Sequence, residues 1–297
     1  HHIYRSSVYA AALEALLVCA MPSFQTTDGV QLHYLVQGPS EGTQTLVFLP
    51  AFCQPAALYV DCFKPLAANG WRCITLDHRG HGESEAPGYG YRVARLAKDL
   101  RELLEHLDLT GVVLGGHSMG GAVMWQYLEL FGEDKISKLI LCDQMVSGLW
   151  RPNWTPEERK NYGAHASAED LLALVSKVAD EEQPDPRYDF LSSMFTENYP
   201  AEAKEAALRA SCRVPREAGA RLVLDTMTRD FRDVLPRIGK PTLCIGGALS
   251  HFKECVPWIA RQIPNSKLIV VEGGSHFMLV EDPARFAADV LAFIGHS

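Results

Sequence analysis

The stretch 114-LGGHSMGGA-122 places one hydroxyl, Ser118, among glycines directly after the apolar run GVVLGG at 111–116. Gly116-His117-Ser118-Met119-Gly120 fits the pattern G-x-S-x-G, a sharp, strained turn between a buried strand and a helix. In such a turn the positions two residues before and after the serine must lack side chains, because strand and helix pass too close for a Cβ. The serine hydroxyl is pushed outward, and the helix start behind it offers the Met119 amide to a developing negative charge. Ser118 therefore reads as a nucleophile, provided that a base and an acid lie elsewhere in the chain.

Outward from this turn, continuous apolar runs of strand length recur: TLVFLP (45–50), RCITLD (72–77), KLILCD (138–143), PTLCIGG (241–247) and KLIVVEGG (267–274). Strands buried on both faces have this composition, and they imply a parallel sheet with crossover helices on both of its faces. Helices are expected at about 55–69, 92–107, 119–131, 253–263 and 282–294 by their helical periodicity. Residues 23–38 read instead as an antiparallel hairpin turning at Asp28-Gly29.

The alternation breaks between Asp143 and Pro241, where no buried-strand run occurs but helix starts repeat. Thr155-Pro156-Glu157-Glu158 is a capping box with proline at the first helical position, and Ser167-Ala168-Glu169-Asp170 repeats the box. A helical insertion at this point would lie over the carboxyl ends of the strands, where open α/β sheets bind ligands. The expected organisation is thus a core of 21–146 and 237–297 with a helical cap, or lid, at 147–236. Residues 1–20 are expected to be an extension, either a tag remnant at His1-His2 or an appended helix. Its apolar part, Val8 to Ala20, is too short to span a bilayer.

The composition, 47% hydrophobic and 22% charged over 297 residues, is that of a globular chain and excludes disorder. A net charge of -8 without a basic run argues against a nucleic-acid partner and for a small-molecule substrate. The eight cysteines include no C-x-x-C pair and read as reduced thiols of a cytoplasmic protein. His78 and His81 lack a third ligand nearby, so no metal is expected. No cofactor is expected either.

With these residues in view, positions 23 to 297 resemble the α/β-hydrolase superfamily. LDHRGHGES (76–84) is similar to the loop after that family's fourth strand, LPAFCQ (49–54) to its oxyanion loop, and GGSHFMLVEDP (273–283) to its histidine loop. The resemblance implies His276 as base and Phe52 as the second oxyanion donor beside Met119, with Ala51 where the loop usually has glycine. It also implies an acid after the strand at 241–247, but Ser250 stands there, and a hydroxyl cannot do a carboxylate's work. Asp143 ends the preceding buried strand, fits the order nucleophile, acid, base, and is therefore the expected acid, as in some haloalkane dehalogenases. Glu254 is the reserve. The substrate pocket is expected to involve His117, Gln54, Trp150 and Trp154, with Tyr162, Phe190, Met194, Phe195 and Tyr199 as further apolar lid residues.

This set implies a serine hydrolase acting on an ester, thioester or lactone of a small apolar or aromatic molecule. Two other readings stay open. The cofactor-independent quinolone-cleaving dioxygenases resemble this chain in LPAFCQ and in a histidine before the serine, although Phe52, Gln54 and Met119 depart from their pattern. A non-catalytic small-ligand receptor of the same fold would carry the same three residues.

Overall fold

The computed structural model describes residues 22–40 and 44–295, and the extension expected at 1–20 lies outside them. The strands are β1 (Ser23–Gln25), β2 (Gln31–Gln37), β3 (Thr45–Leu49), β4 (Arg72–Leu76), β5 (Val112–His117), β6 (Ile136–Cys142), β7 (Thr242–Gly247) and β8 (Ser266–Val271). Among the described residues eleven α-helices accompany them: α1 (Val60–Ala68), α2 (Val93–His106), α3 (Met119–Phe131), α4 (Pro156–Tyr162), α5 (Ala168–Ala179), α6 (Pro186–Ser192), α7 (Ala201–Ser211), α8 (Arg216–Thr228), α9 (Cys255–Gln262), α10 (Met278–Glu281) and α11 (Pro283–Ile294).

The strands form one sheet in the order β1-β2-β4-β3-β5-β6-β7-β8. The hairpin β1–β2 pairs antiparallel, and β2 also runs antiparallel to β4, whereas β4, β3, β5, β6, β7 and β8 are parallel. Side chains alternate across the sheet, as a pleated strand requires. Leu46, Phe48, Val113, Ile140, Leu243 and Ile245 enter one core, under α1 and α11, where Phe63 and Phe286 meet the Phe48 ring. Val47, Leu49, Leu114, Leu139 and Leu141 enter the other, under α2, α3 and α9. Continuous apolar runs are what this two-sided burial demands.

The expectation of burial on both faces fails at β8. This strand is the edge of the sheet, and Leu268 and Val270 are each 39% exposed. Its apolar composition satisfies strand propensity and one-sided pairing, with no helix covering these two positions.

Helices α4 to α8 all lie between β6 and β7 in the chain. Both capping boxes form: Thr155 accepts from the Glu158 amide, and Ser167 from the Asp170 amide. The insertion is stitched at its base by bridges between Ser147 and Asp230 and between Leu149 and Ala166, and α5 packs on α8. No described helix is long and apolar enough to cross a membrane. The seven described cysteines are all free.

The edge position of β8 makes a measurable difference. Leu268→Lys should change the unfolding free energy by no more than about 0.5 kcal/mol. Leu243→Ala, at a fully buried site of β7, should cost about 2–5 kcal/mol. Urea denaturation of both variants checks the contrast.

Candidate active site

Five adjacent parallel strands, β3, β5, β6, β7 and β8, end on one edge of the sheet, and Phe52, Ser118, Asp143, Ser250 and His276 all follow them in the chain. The turn after β5 holds Ser118 at φ 51° and ψ -123°, a conformation disfavoured for any residue with a Cβ. The tightness behind it is steric: a Cβ on Gly120 would lie 2.1 Å from the Leu49 carbonyl oxygen, and one on Gly116 would lie 2.5 Å from the Gly120 carbonyl carbon. The strained backbone is held by Ser118 N–H donating to the Cys142 carbonyl at 2.9 Å and by Gly121 N–H donating to the Ser118 carbonyl at 2.7 Å. Ser118 is the half-buried residue of an otherwise buried segment, and it opens onto a cavity.

His276 lies on the loop after β8, and its Nδ1 is 2.6 Å from Asp143 Oδ2. Asp143 follows β6 with φ 44° and is completely buried, so its charge needs donors. Gly247 N–H supplies one to Oδ1 at 3.1 Å, and the Ser250 hydroxyl donates to Oδ2, the oxygen that faces His276. Ser250 in turn accepts from the Phe252 amide at 3.0 Å. The residue at the position where the resemblance calls for an acid therefore solvates the carboxylate that reaches the histidine from the neighbouring strand. The hydrogen-bonding of Ser250 could not be read from the sequence, which shows only that a carboxylate is missing there. The reserve, Glu254, is exposed at the start of α9.

The loop after β3 turns at Ala51-Phe52-Cys53-Gln54, closed by Gln54 N–H donating to the Ala51 carbonyl at 3.0 Å, with Cys53 at φ 64°. Phe52 and Met119 both line the cavity beside Ser118. The loop after β4 clamps this turn. Cys53 N–H donates to His81 Nε2 at 3.1 Å, Ala56 N–H donates to Asp77 Oδ1 at 2.6 Å, and His78 Nε2 lies 3.3 Å from the Pro50 carbonyl. His81 Nδ1 faces the Arg79 carbonyl at 3.0 Å, so Nδ1 carries the proton and Nε2 is the acceptor. Burial favours the neutral rings, with His81 pushed down to about 4 and His78 to about 3.

The cavity has a volume of about 410 Å³. Its floor is Ser118, Met119, Phe52 and His276. Leu174, Val178, Phe190, Leu191, Val223 and Met227 of the inserted helices form its roof, and Met194 and Phe252 close its sides. Arg187 also faces it, but that guanidinium is committed to Asp185, the Val214 carbonyl and Cys53 Sγ. The rest of the lining is mainly apolar, with Gln144, His165, Ser193, Thr226 and His251 as its polar members, which suits a ligand of largely apolar character.

Four residues expected in the pocket do not line it. His117 lies beneath the floor, fully buried between Tyr59 Oη at 2.8 Å and the His276 carbonyl at 2.9 Å. Gln54 is buried behind the loop. Trp150 is stacked under the Arg159 guanidinium at 3.8 Å, and Trp154 packs between Tyr162 and Arg232, so both indoles are used within the insertion. Of the remaining lid candidates, Phe190 and Met194 reach the cavity, whereas Tyr162, Phe195 and Tyr199 do not. Sequence reasoning missed His165 and His251, which also line it. Among the described residues no cluster of three or more His, Cys, Asp or Glu is arranged to hold a metal.

The buried neutral histidines have a consequence in acid. An unfolded chain protonates His81 and His78 below about 6.5, while the folded chain keeps them neutral down to about 4 and about 3. The unfolded state then binds more protons, so stability present at neutral pH falls as pH drops from 6.5 towards 4. Urea unfolding at pH 7.5, 5.5 and 4.5 should show this decline, with a shallower slope in His81→Gln. Equal slopes would remove His81 from the account.

The sequence profile described as the alpha/beta hydrolase fold matches residues 44–283. A non-heme chloroperoxidase of Kitasatospora aureofaciens is 29% identical over 291 residues, which cover 92% of this chain and 99% of that one. A bifunctional esterase/perhydrolase of Acinetobacter calcoaceticus is 25% identical over 280 residues, 91% of this chain and 98% of the relative. Among solved structures, the esterase of Exiguobacterium antarcticum superposes with a TM-score of 0.81 at 25% identity, covering 92% of this chain and 98% of the esterase. An eight-stranded, mostly parallel sheet, a strained serine turn after β5 and this family match agree: the chain belongs to the α/β-hydrolase superfamily of enzymes.

Proposed function

We propose that this enzyme is a serine hydrolase of esters, thioesters or lactones whose acyl part is apolar or aromatic, with the helices at 147–236 acting as its lid. The observation that carries the reading is the buried Asp143 carboxylate on His276 Nδ1 while Ser118 and His276 share the wall of one apolar cavity. A carboxylate on Nδ1 keeps the proton there, leaves Nε2 as the base, and stabilises the imidazolium that forms. His276 takes the Ser118 proton as Oγ attacks the carbonyl carbon. The amides of Phe52 and Met119 receive the oxyanion, and His276 then returns the proton to the departing alcohol or thiol. Water, deprotonated by the same His276, releases the acid and restores Ser118.

The roof supplies the selectivity in this reading. Leu174, Val178, Leu191 and Val223 offer dispersion contacts and no hydrogen bonds, so an acyl chain that shed polar groups would gain most by entering. The two relatives named for peroxide chemistry support hydrogen peroxide as a second acceptor. Its attack on the acyl-enzyme would yield a peracid in place of the acid, by the same proton transfers.

Intact-protein mass and nitrophenol release from short-chain and medium-chain nitrophenyl esters test the reading. Wild type should turn over repeatedly and carry a transient acyl mass on Ser118, and Ser118→Ala should show neither. Asp143→Asn should keep the fold and lower kcat by about 10³–10⁴-fold, because the amide no longer stabilises the imidazolium. Absence of the acyl mass in wild type, with oxygen consumed on hydroxyquinolones, would replace the hydrolase with dioxygenase chemistry.

A further inference from the structure

Beneath the cavity floor a chain of buried hydrogen bonds joins three loops of the site. Ala51 N–H donates to Tyr59 Oη at 3.1 Å, Tyr59 Oη lies 2.8 Å from His117 Nδ1, and His117 Nε2 lies 2.9 Å from the His276 carbonyl. The direction of every bond follows from its ends. An amide can only donate and a carbonyl can only accept, so Nε2 carries the His117 proton, Nδ1 is bare, and the phenol gives its own proton to Nδ1 while accepting from Ala51. No member is left with a wrong tautomer. Tyr59 and His117 are 0% exposed, Ala51 2% and His276 3%. Burial holds the His117 ring well below the usual histidine range and the Tyr59 phenol well above its own, so the chain keeps one protonation pattern at neutral pH.

The three points that the chain touches are those whose mutual placement the reaction needs. Ala51 begins the turn that carries the Phe52 amide, His117 immediately precedes Ser118, and the His276 carbonyl belongs to the base itself. Packing supports the same alignment: the His117 ring is 4.7 Å from the His276 ring and 5.9 Å from the Tyr59 ring, centroid to centroid. We propose that Tyr59 and His117 are positioning residues, which hold the oxyanion loop, the nucleophile turn and the base loop in register through the chain Ala51–Tyr59–His117–His276. Neither touches substrate. The pair reaches residues 51 and 276 through their backbone groups, the Ala51 amide and the His276 carbonyl.

The physical reason that such a brace is needed lies in the tolerance of the chemistry. An oxyanion donor works at about 2.7–3.1 Å from the oxyanion, and a displacement of about 1 Å can cost a hundredfold in rate. Ala51 and His276 follow strands that are not neighbours in the sheet, β3 and β8, with β5, β6 and β7 between them. Sheet hydrogen bonds alone thus relate them only through four intermediate pairings. The brace spans that distance with two side chains.

This inference rests on the serine hydrolase reading, and its test is arranged to fail separately. Tyr59→Phe keeps the ring but leaves the Ala51 amide and His117 Nδ1 without partners. It should lower kcat by roughly 10- to 100-fold with KM within about threefold, and weaken a boronic acid transition-state analogue in parallel with kcat. His117→Leu should do the same, and Tyr59→Phe/His117→Leu should be no worse than the poorer single variant, because one brace is broken once. His117→Gln, with one acceptor and one donor, should recover most of the loss. It also serves where the Leu variant does not fold. Residues that merely fill space would give multiplying losses and unchanged boronate affinity in the variants that fold, and that result overturns the proposal. So does a Tyr59→Phe enzyme that turns over like wild type. If wild type itself forms no acyl-enzyme, it is the hydrolase reading that falls.

Discussion

A carboxylate with no exposed surface, Asp143, meets an imidazole on the loop after β8, and most of the site's architecture serves that contact. Burying an ionised carboxylate costs several kcal/mol unless donors replace its water. Here the Gly247 amide and the Ser250 hydroxyl, both from the end of β7, supply donors beside His276. β7 lies between β6, which leads to Asp143, and β8, which leads to His276. The strand between the two thus leads to the groups that hydrogen-bond the Asp143 carboxylate.

Strain gathers around the same contact. Among the described residues four without glycine's freedom have positive φ: Cys53, Asp108, Ser118 and Asp143. Three of them lie in the candidate site, in the loop after β3, the turn after β5 and the residue that follows β6. Such conformations cost of order 1–3 kcal/mol each and persist only where surroundings over-determine them. The surroundings are visible: Cys53 is gripped through its amide by His81, Ser118 through its amide by Cys142, and Asp143 through its amide by Ile245. Cys53, Ser118 and Asp143 therefore each have the backbone anchored to a neighbouring strand or loop.

The insertion gives the cavity mainly apolar side chains, with His165, Arg187, Ser193 and Thr226 as its polar lining. Phe190 faces the cavity, while Trp150, Trp154 and Tyr162 pack against Arg159 and Arg232 and stabilise the insertion itself. Arg187, buried in the insertion, bonds to the oxyanion-loop residue Cys53 as well as to Asp185. The insertion is thereby tied to the loop after β3 at its positive-φ residue, Cys53.

Much of the architecture was legible in the sequence because it is local. Apolar runs mark strands buried on both faces, capping boxes mark where inserted helices begin, and a serine between close-set glycines marks a turn that admits no Cβ. The chain order of Ser118, Asp143 and His276 and the missing carboxylate at 250 were equally open to reading. Tertiary structure alone decided that β8 is an edge, so that Leu268 and Val270 meet solvent despite a composition matching the buried strands. It also decided that His117 lies under the floor, that Trp150 and Trp154 turn away from the cavity, and that the Ser250 hydroxyl bonds to the Asp143 carboxylate. Periodicity states which face of an element is apolar. Which element comes to cover that face, and which residues from β3, β5 and β8 come within hydrogen-bond reach, depends on sheet order and distance, and these exist only once the chain has folded.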